Sequence, residues 1–144
     1  MFHMHSVTGR IVIGKILGLL IGILVMSTLP MFGFPLFSMF GLGTLIMFML
    51  MGVLTAFVGL FNRHPVLNFS TPWWVRGIII GFIFTLMYVL LSYGALVVVM
   101  QSTLVSWIGL TSPFWVLLDG ALIGLLMSGL ETKFAGEGEQ LPLR

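Results

Sequence analysis

Four long apolar runs separated by short polar segments dominate the hydrophobic pattern of this chain. The runs cover about residues 11–29, 38–61, 75–100 and 113–130. Each run is about 18 residues or longer, which is the length typical of a helix that crosses a bilayer. The pattern therefore predicts an all-α integral membrane protein with four transmembrane helices in an up-and-down bundle.

Turn and capping signals mark the ends of these runs. The first loop, LPMFGFPL, holds two prolines and a glycine without any charge, which is typical of a tight turn. The sequences STP before the third run and TSP before the fourth combine capping hydroxyls with a proline at the first helical position. Trp73, Trp74 and Trp107 flank the third run, as tryptophans do at a membrane interface.

Composition favours lipid over water as the surrounding solvent. Of the 144 residues, 59% are hydrophobic and 7% are charged, and the mean hydropathy is +1.19. A soluble domain carries about 25% charged residues, so this chain has too few to cover a water-facing surface. The net charge of +2 is too small for a nucleic-acid interface. The absence of cysteine excludes disulfides and thiolate metal sites.

The distribution of basic residues predicts the orientation of the chain. All six lysines and arginines lie at the N-terminal end, in the second loop or in the tail: Arg10, Lys15, Arg63, Arg76, Lys133 and Arg144. The positive-inside rule then places both termini in the cytoplasm, and we expect a bacterial inner membrane. Residues 1–10 and 131–144 form the predicted cytoplasmic ends, and residues 11–130 form a single transmembrane domain.

A signal peptide is the competing interpretation of the N-terminal region, because Arg10 and Lys15 precede most of an apolar run. The sequence STLPMFGFP that follows contains no small-x-small cleavage site and continues into bulky residues. We therefore expect a first transmembrane helix.

Small residues form a stripe along one face of each predicted helix. Helices in lipid associate through close backbone contact rather than through the hydrophobic effect, so these stripes are expected to face inward. The competing interpretation is that glycine is simply common in membrane helices. Phe48 is the bulky member of the second stripe and is expected to limit the approach of a neighbour. The predicted packing residues are Gly14, Gly18, Gly22, Gly52, Gly59, Gly77, Gly81, Gly120 and Gly124.

A weak internal duplication is also compatible with the sequence. GKILG from Gly14 resembles GIIIG from Gly77, and MGVLTA from Met51 resembles DGALIG from Asp119. The matches predict two repeated helical hairpins of the same orientation. Apolar sequence of low complexity also produces such matches by chance.

Asp119 is the candidate site for a proton or a cation, because it is the one acid within the four runs. Two structural interpretations compete with this one: a carboxylate bonded to hydroxyls of neighbouring helices, and a shallow, water-exposed group beside Trp115. Tyr88 and Ser92 are the expected contacts, since they lie in the outer half of the third run. Lys15 lies near the opposite interface, too far away for a direct ion pair.

Metal binding and catalysis are not expected. The histidines and the remaining acids fall on the predicted cytoplasmic side: His3, His5, His64, Glu131, Glu137 and Glu139. A metal site would require the N-terminus to fold over the second loop, so solvated surface residues are the simpler interpretation. No cofactor is predicted, and Asp119 has no second catalytic group at its depth.

The predicted function is therefore non-catalytic. We expect a small inner-membrane bundle that associates with itself or with larger membrane proteins, as an assembly or regulatory subunit. Self-association through the glycines of the first helix is compatible with this role. The alternative is a small transporter or channel in which Asp119 binds a proton, a cation or a cationic substrate. A membrane enzyme is a distant third, and no nucleic-acid partner is expected.

Overall fold

The computed structural model describes residues 5–136 and 138, except residues 62, 64, 65, 67 and 69. This described part is helical and has no strand beyond one isolated bridge between Arg63 and Ser70. Short 3₁₀ turns follow the first helix and precede the last. The helices are α1 (Val7–Thr28), α2 (Met39–Val58), α3 (Trp73–Leu91), α4 (Tyr93–Gln101), α5 (Thr103–Ser106) and α6 (Val116–Ala135).

Four helical segments are long and apolar enough to cross a membrane: Val7–Phe32, Met39–Val58, Trp73–Leu91 and Pro113–Ala135. The all-α class and the four candidate spans are thereby confirmed. Their outward faces carry large apolar side chains, such as Leu24 and Leu90, which are 67% and 64% exposed. Such a surface is stable in lipid, where apolar groups face a solvent of their own kind.

Serine caps and one left-handed glycine define the first two helices. The Ser6 hydroxyl accepts the backbone N–H of Gly9 at 3.0 Å, and the Ser38 hydroxyl accepts that of Gly41 at 3.1 Å. Both bonds satisfy N–H groups that have no partner within the helix. Between the helices Gly33 has a φ of 85°, a backbone conformation that residues with a Cβ rarely adopt.

The third predicted span differs from the structure in its C-terminal part. A single helix was expected over residues 75–100, but α3 ends at Leu91 and α4 begins at Tyr93. Ser92 separates them with φ −117° and ψ 23°, which lies outside the helical region. Ser92 and Gly94 are weak helix formers. The hydrophobic pattern of the surrounding Leu and Val residues does not indicate that a helix breaks there.

Helices α1 and α2 form an antiparallel pair whose backbones touch. A Cβ added at Gly14 would meet the carbonyl oxygen of Gly52, and one added at Gly22 would meet Leu45. Later residues of α1 contact earlier residues of α2, so the two helices run in opposite directions. We call this pair the N-terminal hairpin.

Helices α3 and α6 form a second antiparallel pair by the same kind of contact. A Cβ added at Gly77 would meet the Gly124 carbonyl and the Ser128 Cβ, and one added at Gly81 would meet the Gly120 carbonyl. We call this pair the C-terminal hairpin. All nine predicted packing glycines are buried in one hairpin or the other.

The contacts correct two details of the sequence analysis. The sequence match aligned Gly52 with Gly120. In the structure Gly52 contacts Gly14 and Gly124 contacts Gly77, so the counterpart of Gly52 is Gly124, one helical turn after Gly120. Phe48 does not hold α1 away, because Gly18 packs against the Phe48 backbone carbonyl. The Phe48 ring packs instead in a core cluster that includes Ile80 of the C-terminal hairpin.

Candidate functional site

A cavity of about 360 Å³ lies between the two hairpins, at the end of the bundle where α6 begins. Both hairpins contribute side chains to its walls, and Met100 of α4 and Val105 of α5 line it as well. Both residues follow the break at Ser92, which separates α4 from α3. The break therefore contributes to the cavity. Sites for small molecules begin at about 300 Å³, so the volume suits a small organic ligand.

Asp119 is the one charged residue among the side chains that line this cavity. It lies in the first turn of α6, where the partial positive charge of the helix N-terminus stabilises a carboxylate. Its side chain is exposed. This position places a negative charge at an apolar cavity.

Aromatic side chains line the same cavity. Phe40 stacks on Tyr88 with ring centroids 5.9 Å apart and an interplanar angle of 11°. Phe48 and Trp115 line the cavity as well. Aromatic faces attract organic cations through their quadrupole, and a nearby carboxylate adds a formal counter-charge. The lining therefore suits a ligand with a positive charge and an apolar body.

The structure brings Tyr88 and Asp119 to one cavity but gives the tyrosine hydroxyl another partner. The Tyr88 and Thr44 hydroxyl oxygens are 2.6 Å apart. Thr44 Oγ1 also donates to the Phe40 carbonyl at 2.7 Å, so the Tyr88 hydroxyl is the donor to Thr44. Ser92, the third predicted site residue, lines a different groove between α2 and α3.

A second polar cluster lies at the opposite end of the hairpin interface. Arg10 Nη2 is 3.7 Å from Glu131 Oε2, and both side chains are fully buried. Thr55 Oγ1 donates to Glu131 Oε1 at 2.7 Å. The cluster thus joins α1 and α2 of one hairpin to α6 of the other.

Arg10 also binds the C-terminal ends of two helices. Its Nε donates to the Ala56 carbonyl at 2.9 Å, and its Nη1 donates to the Gly136 carbonyl. Carbonyls in the last turn of a helix lack intrahelical partners and carry the negative end of the helix dipole. A Cβ at Gly59 would overlap the Arg10 guanidinium, so a larger residue there would displace the arginine from this position.

The burial of Glu131 corrects the sequence analysis, which placed this residue on the solvated surface and Arg10 in a cytoplasmic end. Both become internal because α1 begins at Val7 and α6 continues to Ala135, beyond the predicted limits. A signal for this was present in the spacing. Arg10 precedes Gly14 by four residues and Glu131 follows Ser128 by three, so each extends an inward stripe.

The histidines and acids that were considered for a metal site are divided between described and other residues. His5 is exposed and Glu131 is buried in the ion pair. His3, His64, Glu137 and Glu139 lie outside the described residues, as do parts of both predicted cytoplasmic ends. Within the described part, no group of three histidines or acids could hold a metal ion.

Comparison with known proteins finds no relative of this chain. No family model matches this sequence, and searches of curated proteins and of solved structures find no similar chain. The function is therefore inferred from the cavity that Asp119 lines and from the Arg10–Glu131 cluster.

Proposed function

We propose that this chain is a non-catalytic protein of the bacterial inner membrane that binds a cationic ligand with an apolar body, as part of a small transporter. The observation that carries the proposal is the cavity between the hairpins, whose one charged lining residue is Asp119. The carboxylate would neutralise the ligand, and the rings of Tyr88 and Phe40 would contact its apolar part.

The packing of the glycines favours ligand binding over self-association through the first helix. Gly14, Gly18 and Gly22 face α2 within the N-terminal hairpin. They are therefore not available to a second copy of the chain. The outward face of α1 carries Leu20 and Leu24 instead, which suit lipid.

The division into two hairpins suits a transport mechanism. Within each hairpin the backbones touch at glycines, so each hairpin moves most easily as a rigid body. Between the hairpins lie side chains, the cavity, and hydrogen bonds at Thr44–Tyr88 and Thr55–Glu131. Rocking of one hairpin against the other would expose the cavity to each side in turn, as in carriers built from repeats.

Asp119→Asn should weaken the binding of a quaternary ammonium probe, such as benzyltriethylammonium, by at least about tenfold. The amide keeps the size of the side chain but removes the charge that neutralises the ligand. Isothermal titration calorimetry of the purified protein in detergent measures the affinity, and the flux of labelled probe into proteoliposomes measures transport. Lys133→Gln is the matched control, because Lys133 is exposed and does not line the cavity.

Two results would count against ligand binding. Equal affinities of the wild type and Asp119→Asn would show that the carboxylate is not the counter-ion. No binding by either protein would favour the second candidate, an assembly or regulatory subunit. That candidate is supported by an outward groove of about 340 Å³ between α2 and α3. Gly43 lines this groove with open space beside it.

We further propose that both termini lie in the cytoplasm. Arg10, Arg76 and Lys133 lie near the same end of the two antiparallel hairpins, which supports this orientation under the positive-inside rule. A phosphatase fused after Arg144 should be inactive and a fluorescent protein fused there should be bright, with the reverse result for fusions in the first loop. An active C-terminal phosphatase would contradict the orientation.

A further inference from the structure

An open groove of about 570 Å³ lies on the outside of the C-terminal hairpin, between α6 and the start of α3. Its wall on α6 is a stripe of leucines, of which Leu122 and Leu126 are each 55% exposed. Trp73, the first residue of α3, lines the groove, and so does Lys133 near the end of α6. The groove is therefore apolar along its length and carries a positive charge at one end.

The tryptophan and the lysine lie at the same end of the groove. A Cβ added at Gly129 would lie 3.1 Å from the Trp73 ring, so the indole packs directly over this glycine. The Ser128 hydroxyl donates to the Trp73 carbonyl at 2.8 Å and holds the start of α3 against α6. Lys133 follows Gly129 by one helical turn, and side chains on a helix lean toward its N-terminus, so Lys133 extends along the same wall.

The length of the groove matches one leaflet of a bilayer. Lys133 follows Leu122 by eleven positions, which corresponds to about 16 Å along the axis of α6. Half of a hydrocarbon core of about 30 Å is about 15 Å. A transmembrane helix of a partner protein would pack over the full depth of the core, whereas the acyl chain of a lipid occupies one leaflet. The dimensions therefore favour a lipid over a helix.

Neither of the two acids that the structure describes neutralises Lys133. Asp119 lines the cavity at the other end of the bundle, and Glu131 is buried in its ion pair with Arg10. Glu131 is also two residues from Lys133, so the two side chains lie on different faces of α6. The Lys133 Nζ lies 5.9 Å from the centre of the Phe134 ring, near the limit of a cation–π contact. An anion from outside the chain would supply the missing counter-charge.

We propose that this groove binds a phospholipid of net negative charge, from the leaflet on the side where α6 ends. An acyl chain lies along Leu122 and Leu126, and the Lys133 ammonium group binds the phosphate. The span Pro113–Ala135 has 23 residues and is about 35 Å long, so its last residues reach the headgroup layer. The Trp73 indole suits the same layer. A zwitterionic headgroup binds less well because its own cation offsets the phosphate. This site does not require the ligand of the cavity.

Native mass spectrometry of the full chain in detergent, titrated with lipid, tests the site. The two probes are phosphatidylglycerol and phosphatidylcholine with identical palmitoyl and oleoyl chains. The wild type should bind one phosphatidylglycerol more tightly than phosphatidylcholine, by about fivefold or more, as one lysine near a charged lipid surface provides. Lys133→Gln should lose this preference, and Lys133→Arg should keep it because the charge remains. Lys15→Gln is the matched control, since Lys15 is an exposed lysine that does not line the groove.

A second variant tests the apolar part of the groove. Leu126→Trp places a larger side chain at an exposed position of its wall and should weaken the binding of both lipids. Three outcomes would overturn the proposal. The first is a wild type without preference for phosphatidylglycerol. The second is an equal loss of preference in Lys133→Gln and Lys15→Gln, which would reflect surface charge in general. The third is a lipid-free dimer that Leu126→Trp abolishes, which would assign the groove to a second copy of the chain.

Discussion

Replacing Arg10 with methionine should lower the free energy of unfolding by about 3–5 kcal/mol, the range measured when one partner of a buried ion pair is removed. Methionine fills a similar volume but leaves Glu131 as a buried acid without a counter-charge. It also leaves the Ala56 and Gly136 carbonyls without their donor. Unfolding in a mixed micelle with increasing sodium dodecyl sulfate, followed by tryptophan fluorescence, measures the loss.

The double variant Arg10→Met with Glu131→Met separates the charge effect from a general loss of packing. Replacing both members of a buried pair with apolar side chains of similar volume is often neutral or stabilising. Thr55 would keep acceptors, because its hydroxyl also lies within 3.0 Å of the Met51 carbonyl. The double variant should therefore recover most of the lost stability. Equal losses in the single and double variants would mean that the pair is not the source.

Gly52→Ala should destabilise the N-terminal hairpin, with a cost near the upper end of the 1–3 kcal/mol typical of overpacking, or loss of folding. The added methyl group would overlap the Gly14 carbonyl oxygen, and backbone atoms of a packed helix cannot move aside as a flexible side chain does. The helices would have to separate along their length. The same detergent unfolding curve measures the effect.

Gly43→Ala is the matched control on the same helix. A Cβ there has nothing within 4 Å, so alanine meets no neighbour and helix propensity alone changes. Alanine is the better helix former by up to about 1 kcal/mol in water. We expect stability equal to or slightly above that of the wild type. A similar loss in both variants would show that glycine is needed for the backbone of α2 rather than for its contact with α1.

Local sequence determined the four candidate spans and their solvent, but not the break at Ser92. Whether an apolar run of 20 residues enters lipid depends on its own composition, and a stripe such as Gly14, Gly18 and Gly22 follows from the pitch of one helix. For the same reason the glycine faces were visible in the sequence. The spacing that places Arg10 and Glu131 on those faces was visible too, but charge at the end of a run suggested solvent instead.

Only the tertiary structure decided which stripes meet and what lies between them. Gly14 faces Gly52 and Gly77 faces Gly124, and these choices leave a cavity beside Asp119. Thr55 bonds Glu131 across 76 positions of the chain. Burial of that acid depends on groups from three helices, and no local pattern specifies such a meeting. Whether a helix lies in lipid or in water depends on its own residues. The hydrogen bonds and the counter-charge that a buried charged group needs come from neighbouring elements.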